Sequence, residues 1–552
     1  MTFLSSLLPS FNNPTPHVIP EGENAAPLEV IGCTATDKLV IIMVGVPASG
    51  KTFFAKRIAR YLTFFLDIPS EIFNVANYRR ELVVPSNSDF FDPSNKEAMS
   101  LRIQARANAI RDLIQYMRKD GVRTGVFDAA NCTKEQRLEI RSKLNEEGIG
   151  AKIMFLECIC DDHKLIEANI RSISKGSMQD YSDYKDVDEF TVFSDLRNRR
   201  EQYYLPTYEP VDESERACYV KVYNYITIEV FNVHGYLPLK VVHFVMNLHT
   251  LPRTFYIARH GQSEYNRHGK IGGNSGLTRS GVEFARRLHQ FAKENIMTET
   301  TLVDSTTGTT QPQTVPARLW TSTLRRTKET AQFFDHPTIQ HTLENGETID
   351  WVQMRPMHRR NLDEIFAGTM DGMTYKEIEE RFPEEFQRRQ KDKLSYRYPR
   401  GESYMDVILR LEPMACEMER TREPILVIGH QGIHRILYAY FMGLKREEAP
   451  YVNIPLNTVI KLTPNAYTCD EERICLMHKE EMMMFSPDGQ EEPVTSMPRS
   501  LSANITMTST TLRQQQSKQQ TSEEEEGESN SSYPSHKKMY SFDDQIMNAP
   551  SH

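Results

Sequence analysis

No stretch of this chain stays apolar long enough to cross a bilayer. The longest early apolar runs, such as Leu39 to Val46, fall far short of the roughly 20 residues a membrane helix needs. The N-terminal MTFLSSLLPS lacks the basic start of a signal peptide. Cysteine is sparse: eight are scattered over 552 residues, and the closest pair, Cys158 and Cys160, has neither the spacing nor the companions of a zinc site or a redox CxxC. The expectation is a soluble, cytoplasmic protein with reduced thiols and no membrane partner. Positive charge is not in excess. A net charge of -9 and a pI near 6.0 exclude general nucleic-acid binding and leave small anions as partners, since Arg and Lys crowd around two motif regions.

The length exceeds what one core supports, so two domains with tails are expected. Residues 1–37 hold Pro9, Pro14, Pro16, Pro20 and Pro27 among polar residues, which predicts an irregular arm. From Lys38, apolar runs (Leu39 to Val46, Gly125 to Phe127, Lys152 to Leu156) alternate with helical stretches (Phe53 to Phe65, Ala98 to Arg118), the rhythm of a parallel sheet with crossover helices. A second set of strands at Thr254 to Ala258, Arg318 to Thr321, Pro424 to Ile428 and Thr458 to Leu462 predicts a second α/β domain. The predicted fold is two doubly wound α/β domains over 38–250 and 251–470. Residues 296–316, Thr-rich with two prolines, read as a long surface loop. Residues 471–552, with Gln514 to Gln516 and Glu523 to Glu526, read as a disordered tail.

The string Gly45-Val46-Pro47-Ala48-Ser49-Gly50-Lys51-Thr52 follows a buried-strand pattern and opens a helical one, the context a P-loop requires. Its backbone N–H groups would wrap phosphates at a helix N-terminus, Lys51 would reach the β and γ oxygens, and Thr52 would hold Mg2+. Asp128 ends the strand-like GVFD, where a carboxylate orients the metal or the incoming hydroxyl. Arg79, Arg80 and Arg102 could clamp a second phosphate.

The segment TFYIARHGQSEYN places Arg259 and His260 just past a strand, and PILVIGHQG does the same for His430. Ligands in open α/β sheets bind beyond the carboxyl ends of strands, so two such histidines can share a crevice. A neutral imidazole attacks phosphorus competently, with Arg259, Arg326 and His430 placed to stabilise the transferring group. Glu364, in a glycine-interrupted segment, is the candidate proton donor. No metal-ligand cluster accompanies these residues in the sequence.

In order, GVPASGKT, FNVANYRRE, VFDAAN, ICDD, RHGQSEYN, IGGNSGL, the ESY of RYPRGESY, and GHQG resemble the bifunctional 6-phosphofructo-2-kinase/fructose-2,6-bisphosphatase family over roughly Lys38 to Asp470. The resemblance implies a P-loop kinase domain followed by a histidine-phosphatase domain of the phosphoglycerate mutase-like type. It also implies ATP and Mg2+ as cofactors, fructose 6-phosphate and fructose 2,6-bisphosphate as substrates, and a homodimer. In the second half it makes His260 the phosphorylated residue, Glu364 the acid and base and His430 the second histidine. Arg259, Asn266, Gly272 and Arg326 would hold the 2-phosphate, and Tyr375, Arg389, Lys393, Tyr404, Gln431 and Arg435 the rest of the sugar. In the first half, Lys51, Thr52, Asp128, Cys160 and Asn169 match nucleotide and catalytic positions, and Arg79, Arg102, Arg200 and Tyr204 match fructose 6-phosphate contacts.

Three positions depart from that pattern: Ala130 for a threonine, Gln136 for a sugar-phosphate arginine and Ser174 for a lysine. Arg137 and Lys175 lie one residue further on, where a small loop shift would restore the charges. Without it, losing charged hydrogen bonds of about 1.5–3 kcal/mol each predicts a kinase weaker than the phosphatase. The alternative is mainly a phosphatase with a weak or inactive ATP-binding domain. The Ser and Thr content of the tail, including Met497 to Ser502, permits regulation by a protein kinase.

Overall fold

The computed structural model describes residues 38–485 apart from 83–87, 175–186, 250–252, 305–308, 344–345 and 466–467. The predicted arm, Lys175, the domain junction at 250/251 and most of the tail lie outside the described residues.

Strands β1 (Lys38–Val44), β2 (Ser70–Asn74), β3 (Thr124–Asp128), β4 (Ala151–Ile159), β5 (Cys218–Tyr223) and β6 (Thr227–Phe231) form one sheet in the order β2-β3-β1-β4-β5-β6. Its strands are parallel except that β6 runs antiparallel to β5. The apolar run of β1 is explained by burial on both faces: Leu39, Ile41 and Met43 enter one core while Val40, Ile42 and Val44 enter another, the two-residue period of a doubly wound sheet.

The second sheet is built from β7 (Phe255–Arg259), β10 (Arg318–Thr321), β13 (Pro356–His358), β14 (Ile425–Gly429), β15 (Thr458–Pro464) and β16 (Cys469–Cys475), in the order β13-β10-β14-β7-β15-β16. Strands β8 (Thr298–Asp304) with β9 (Thr309–Thr314), and β11 (Thr338–Thr342) with β12 (Thr348–Val352), are separate antiparallel pairs. Two expectations are corrected here. The loop expected over 296–316 contains the β8/β9 pair, because Thr repeats carry high strand propensity. The tail expected from 471 begins too early: β16 pairs with β15 through Cys475, and a helix follows at Lys479–Met484. The charged DEER of β16 hid an edge strand, where charge guards against further pairing.

Both sheets share one core. Phe54, Tyr61, Phe64 and Phe65 of the helix Lys51–Leu66 pack in the same cluster as Ile425, Val427, Leu437, Tyr440 and Phe441. The Phe65 and Tyr440 rings lie 4.8 Å apart. A buried ion cluster crosses this seam: Glu419 accepts from Arg57 Nη1 at 3.2 Å, from Tyr440 Oη at 3.0 Å, and from Arg253 Nη2. Burial pushes the Glu419 carboxyl up, but Arg57 and Arg253 outweigh it and hold it below the usual range. Among the described residues no cysteine is bridged, and no helix is long and apolar enough to cross a membrane.

Candidate active sites

The two helices that start at the predicted phosphate motifs lack the side-chain cap many helix starts carry. Asn95, Thr133, Thr278 and Ser403 cap the helices that follow them. The helix Lys51–Leu66 starts instead at Gly50, held at φ 91°, and Gln431–Met442 starts at His430, neither making a side-chain cap. Their first-turn N–H groups face the two predicted phosphate sites, where an anion completes them.

In the first domain, β1 leads into the P-loop, and Gly45 N donates to Ala130 O at 2.9 Å. The Thr52 hydroxyl donates to Asp128 Oδ2 at 2.7 Å, and Asn74 Nδ2 donates to the same oxygen at 2.7 Å. A half-buried hydroxyl in contact with a buried carboxylate offers the oxygen donors a hard divalent cation takes. Asn74, at the end of β2, was missed by sequence reading although it lies inside FNVANYRRE. Lys51 Nζ donates to Val46 O at 2.7 Å, and burial lowers its pKa. Asn169 Nδ2 donates to Ala48 O at 2.8 Å. Burial pushes the Cys160 thiol up.

A basic cluster surrounds Phe91. The guanidinium of Arg79 lies 5.3 Å and that of Arg199 3.5 Å from its ring centroid, Arg102 Nη1 donates to its carbonyl at 3.1 Å, and the Tyr204 ring stands 6.2 Å away. Arg199 was not singled out in the sequence. Arg200 was, and the structure places it elsewhere: it is buried and donates to Pro47 O at 2.6 Å and Cys160 O at 2.5 Å. The exchange follows from the π-helical turn Arg199–Tyr204, whose extra residue rotates neighbouring side chains relative to an α-helix.

Arg137 cannot replace the arginine that Gln136 lacks. It is fully buried, ion-paired to Glu215 at 2.6 Å and donating to the Asn131, Cys132 and Glu209 carbonyls. The loop shift considered above would break all of these, so that expectation is corrected. Gln136 itself is exposed near the start of the helix Lys134–Glu146.

In the second domain, β14 and β7 are parallel neighbours with Gly429 opposite Arg259, so the next residue on each strand is a histidine at one sheet edge. The His260 and His430 rings are 5.1 Å apart and only 3% and 0% exposed. His260 Nδ1 donates to Gly261 O at 2.8 Å, which fixes the tautomer and leaves Nε2 with its lone pair. Arg326 Nε donates to that Nε2 at 3.0 Å and to His430 Nδ1 at 3.3 Å. One guanidinium therefore joins the two rings. His430 Nε2 meets Ser322 Oγ at 2.7 Å, and His434 Nε2 donates to Ala258 O at 2.9 Å beneath them.

Glu364 lies at the start of the helix Gln431–Met442, accepting from Gly432 N at 3.3 Å and Ile365 N at 3.0 Å. A Cβ at 432 would stand 2.6 Å from its carboxylate oxygen, so glycine there lets Glu364 rest on the helix start undisplaced. Arg410 braces this loop by donating to Asn361 O at 2.5 Å and Asp363 O at 2.7 Å. Arg326 Nη1 donates to Gly273 O at 2.6 Å. The Gly272 turn, at φ 69°, is closed by Asp371, whose carboxylate accepts from Gly273 N at 3.0 Å. Asn266 turns its oxygen back to Ser263 N at 3.1 Å, closing a capping box.

The residues expected to hold the rest of the sugar are tied to neighbouring side chains or backbone. Arg389 donates to Tyr375 Oη at 2.8 Å and Tyr398 Oη at 2.9 Å, Arg435 donates to Tyr404 Oη at 3.2 Å, and Lys393 Nζ lies 5.4 Å from the Tyr451 ring centroid. Gln431 opens the helix after His430, and Arg259 Nη1 donates to Ile454 O at 3.0 Å. Asp371, Arg410, Tyr398 and Ser322 had no sequence signal, since each acts through contacts that only the fold creates.

Burial, then the Arg326 guanidinium, holds both His260 and His430 well below the ordinary value, and burial brings His434 to about 4. The folded protein therefore binds fewer protons than the unfolded chain below about pH 6.5, and these groups make stability fall as pH falls through that range. His260, the expected nucleophile, is thereby held toward its neutral form. Phosphoenzyme formation should hold constant from pH 8 to below 6.5 in rapid-quench assays; an acid limb with its midpoint at or above 6.5 would contradict the buried neutral ring.

The 6-phosphofructo-2-kinase profile matches residues 29–252, and that of the histidine phosphatase superfamily (branch 1) matches 255–475. The 6-phosphofructo-2-kinase/fructose-2,6-bisphosphatase 1 of Rattus norvegicus is 38% identical over 440 residues, covering 79% of this chain and 84% of the relative. The chain belongs to this bifunctional kinase/bisphosphatase family. The family's isoform 3 from Rattus norvegicus is 39% identical over 442 residues, 79% of this chain and 72% of its own length. The Gallus gallus member is 38% identical over 441 residues, 79% and 84%. Within this family member, the kinase domain carries the P-loop and the Phe91 cluster, and the bisphosphatase domain carries the paired histidines.

Proposed function

We propose that the kinase domain transfers the γ-phosphoryl of ATP to the 2-hydroxyl of fructose 6-phosphate, and that the bisphosphatase domain removes the same group from fructose 2,6-bisphosphate. The observation that carries the reading is Arg326, whose Nε reaches both His260 Nε2 and His430 Nδ1, a cradle for phosphorus between two neutral rings.

Hydrolysis runs in two displacements. His260 Nε2 bonds to phosphorus as the bond from phosphorus to the sugar C2 oxygen breaks, and Glu364 gives that oxygen its proton. Water then attacks the phosphohistidine, Glu364 takes a proton from it, and the bond to Nε2 breaks to release inorganic phosphate. Arg326, Arg259 and His430 stabilise the charge on the transferring oxygens.

On the kinase side, Thr52 and Asp128 would hold Mg2+, which when bound screens the triphosphate charge. Lys51 grips the β and γ oxygens, and Arg79, Arg102 and Arg199 hold the sugar phosphate against Phe91. The same reading takes the protein as a cytoplasmic homodimer with a tail open to phosphorylation.

Bisphosphatase activity exceeds kinase activity, because Gln136 offers no cation and Arg137 is locked to Glu215. Assays of both directions on the purified protein test this. Gln136→Arg should raise kinase kcat/KM for fructose 6-phosphate about tenfold or more, the worth of a charged hydrogen bond. An unchanged value, or a wild-type kinase already faster than the bisphosphatase, would contradict the assignment.

A further inference from the structure

One aromatic side chain at the P-loop has no part in the chemistry above. β5 and β6 are joined by a tight turn in which Ile226 N donates to Tyr223 O at 2.9 Å, with Asn224 at φ 50° and Tyr225 at φ 62°. Two successive left-handed residues make a type I′ turn, which favours Asn followed by Gly. Asn224 fits, but a tyrosine at the second position is strained, and strain of this kind persists only where surrounding contacts enforce it.

Those contacts lie at the mouth of the nucleotide site. The Tyr225 ring is 7% exposed, lies nearly parallel to Phe54 at 5.7 Å and 17°, and meets Phe53 edge-on at 6.1 Å. Its hydroxyl accepts from Asn169 Nδ2 at 2.9 Å, and a Cβ on Gly50 would stand 2.1 Å from that oxygen. Tyr225 is thus pressed onto the last glycine of the loop and engages the amide expected to contact nucleotide. With a triphosphate seated over Gly45 to Thr52, a nucleoside held by Asn169 would need the slot that the Tyr225 ring fills beside the buried Phe53 and Phe54.

We propose that Tyr225 is a built-in competitor for the purine: its ring fills the slot and its hydroxyl occupies Asn169, so that ATP binds only when the 224–226 turn swings away. This rests on the reading of the first domain as an ATP site, and it makes Tyr225 a specificity-determining residue that weakens nucleotide binding without touching the phosphates.

The test measures calorimetric affinities of the full chain for MgATP and for magnesium tripolyphosphate, which lacks base and ribose. Tyr225→Gly empties the slot and suits the turn. It should bind MgATP about tenfold more tightly than wild type while tripolyphosphate affinity stays within about twofold. Tyr225→Phe, keeping the ring, should stay within about threefold of wild type for both. Unchanged or weaker MgATP binding in Tyr225→Gly would overturn the proposal, as would equal tightening for tripolyphosphate or equal gains in the two variants. Lys51→Ala separates the two levels: if no protein binds either ligand, or the loss of Lys51 changes nothing, the ATP-site reading falls and this proposal with it. If wild type binds through Lys51 and Tyr225→Gly gains nothing, this proposal falls alone.

Discussion

Replacing His260 with alanine is expected to lower hydrolysis of fructose 2,6-bisphosphate by at least about 10⁴-fold, with little loss of substrate binding. The ring supplies the attacking nitrogen itself, so its removal closes the covalent route and leaves only water activated within a positive pocket. The remaining groups stay: Arg326 still meets His430 Nδ1 and still donates to Gly273 O, and Glu364 still sits at the start of the helix Gln431–Met442. Those groups keep the phosphate bound, so the loss should fall on kcat and spare KM. Steady-state kinetics with substrate in excess reads the split. A kcat within about tenfold of wild type would remove His260 from the reaction.

The second large effect concerns stability. Glu419→Ala should cost about 3–5 kcal/mol, the range for breaking one partner of a buried ion pair. The carboxylate is fully buried and faces two guanidiniums, Arg57 from the P-loop helix and Arg253 ahead of β7. Its removal strands two cations inside the core that both sheets share. Urea unfolding should show an earlier midpoint and a separation of the two domains' transitions, because the cluster sits on their seam. A loss under about 1 kcal/mol, with one unchanged transition, would mean water or neighbouring groups satisfy the arginines.

How much of this was legible in the sequence varies with the physics of each part. The central strands β1, β3, β7 and β14 were readable because burial on both faces demands unbroken apolar runs. The P-loop and the two strand-end histidines were readable because spacing alone carries their chemistry. The edges were not: β16 alternates charges on an exposed strand, and the β8/β9 pair is built from Thr repeats that read equally well as loop. Local side-chain direction was also beyond reach. A one-residue π turn decides that Arg199 rather than Arg200 joins Arg79 and Arg102, and only tertiary contacts lock Arg137 onto Glu215. Tyr225 carried no motif, and its place over Gly50 arises from a turn between β5 and β6 that the sequence reading did not resolve.

The pairing of imidazoles through Arg326 is the claim on which the rest depends, and the identity of the phosphorylated atom tests it most directly. Rapid-quench labelling with fructose 2,6-bisphosphate carrying radioactive phosphate at the 2-position, followed by peptide mapping, should find an acid-labile phosphoramidate on His260 Nε2. The label should be absent from the His260→Ala protein and should turn over at a rate no slower than hydrolysis. Label on His430, or an equal yield from the His260→Ala protein, would contradict the account.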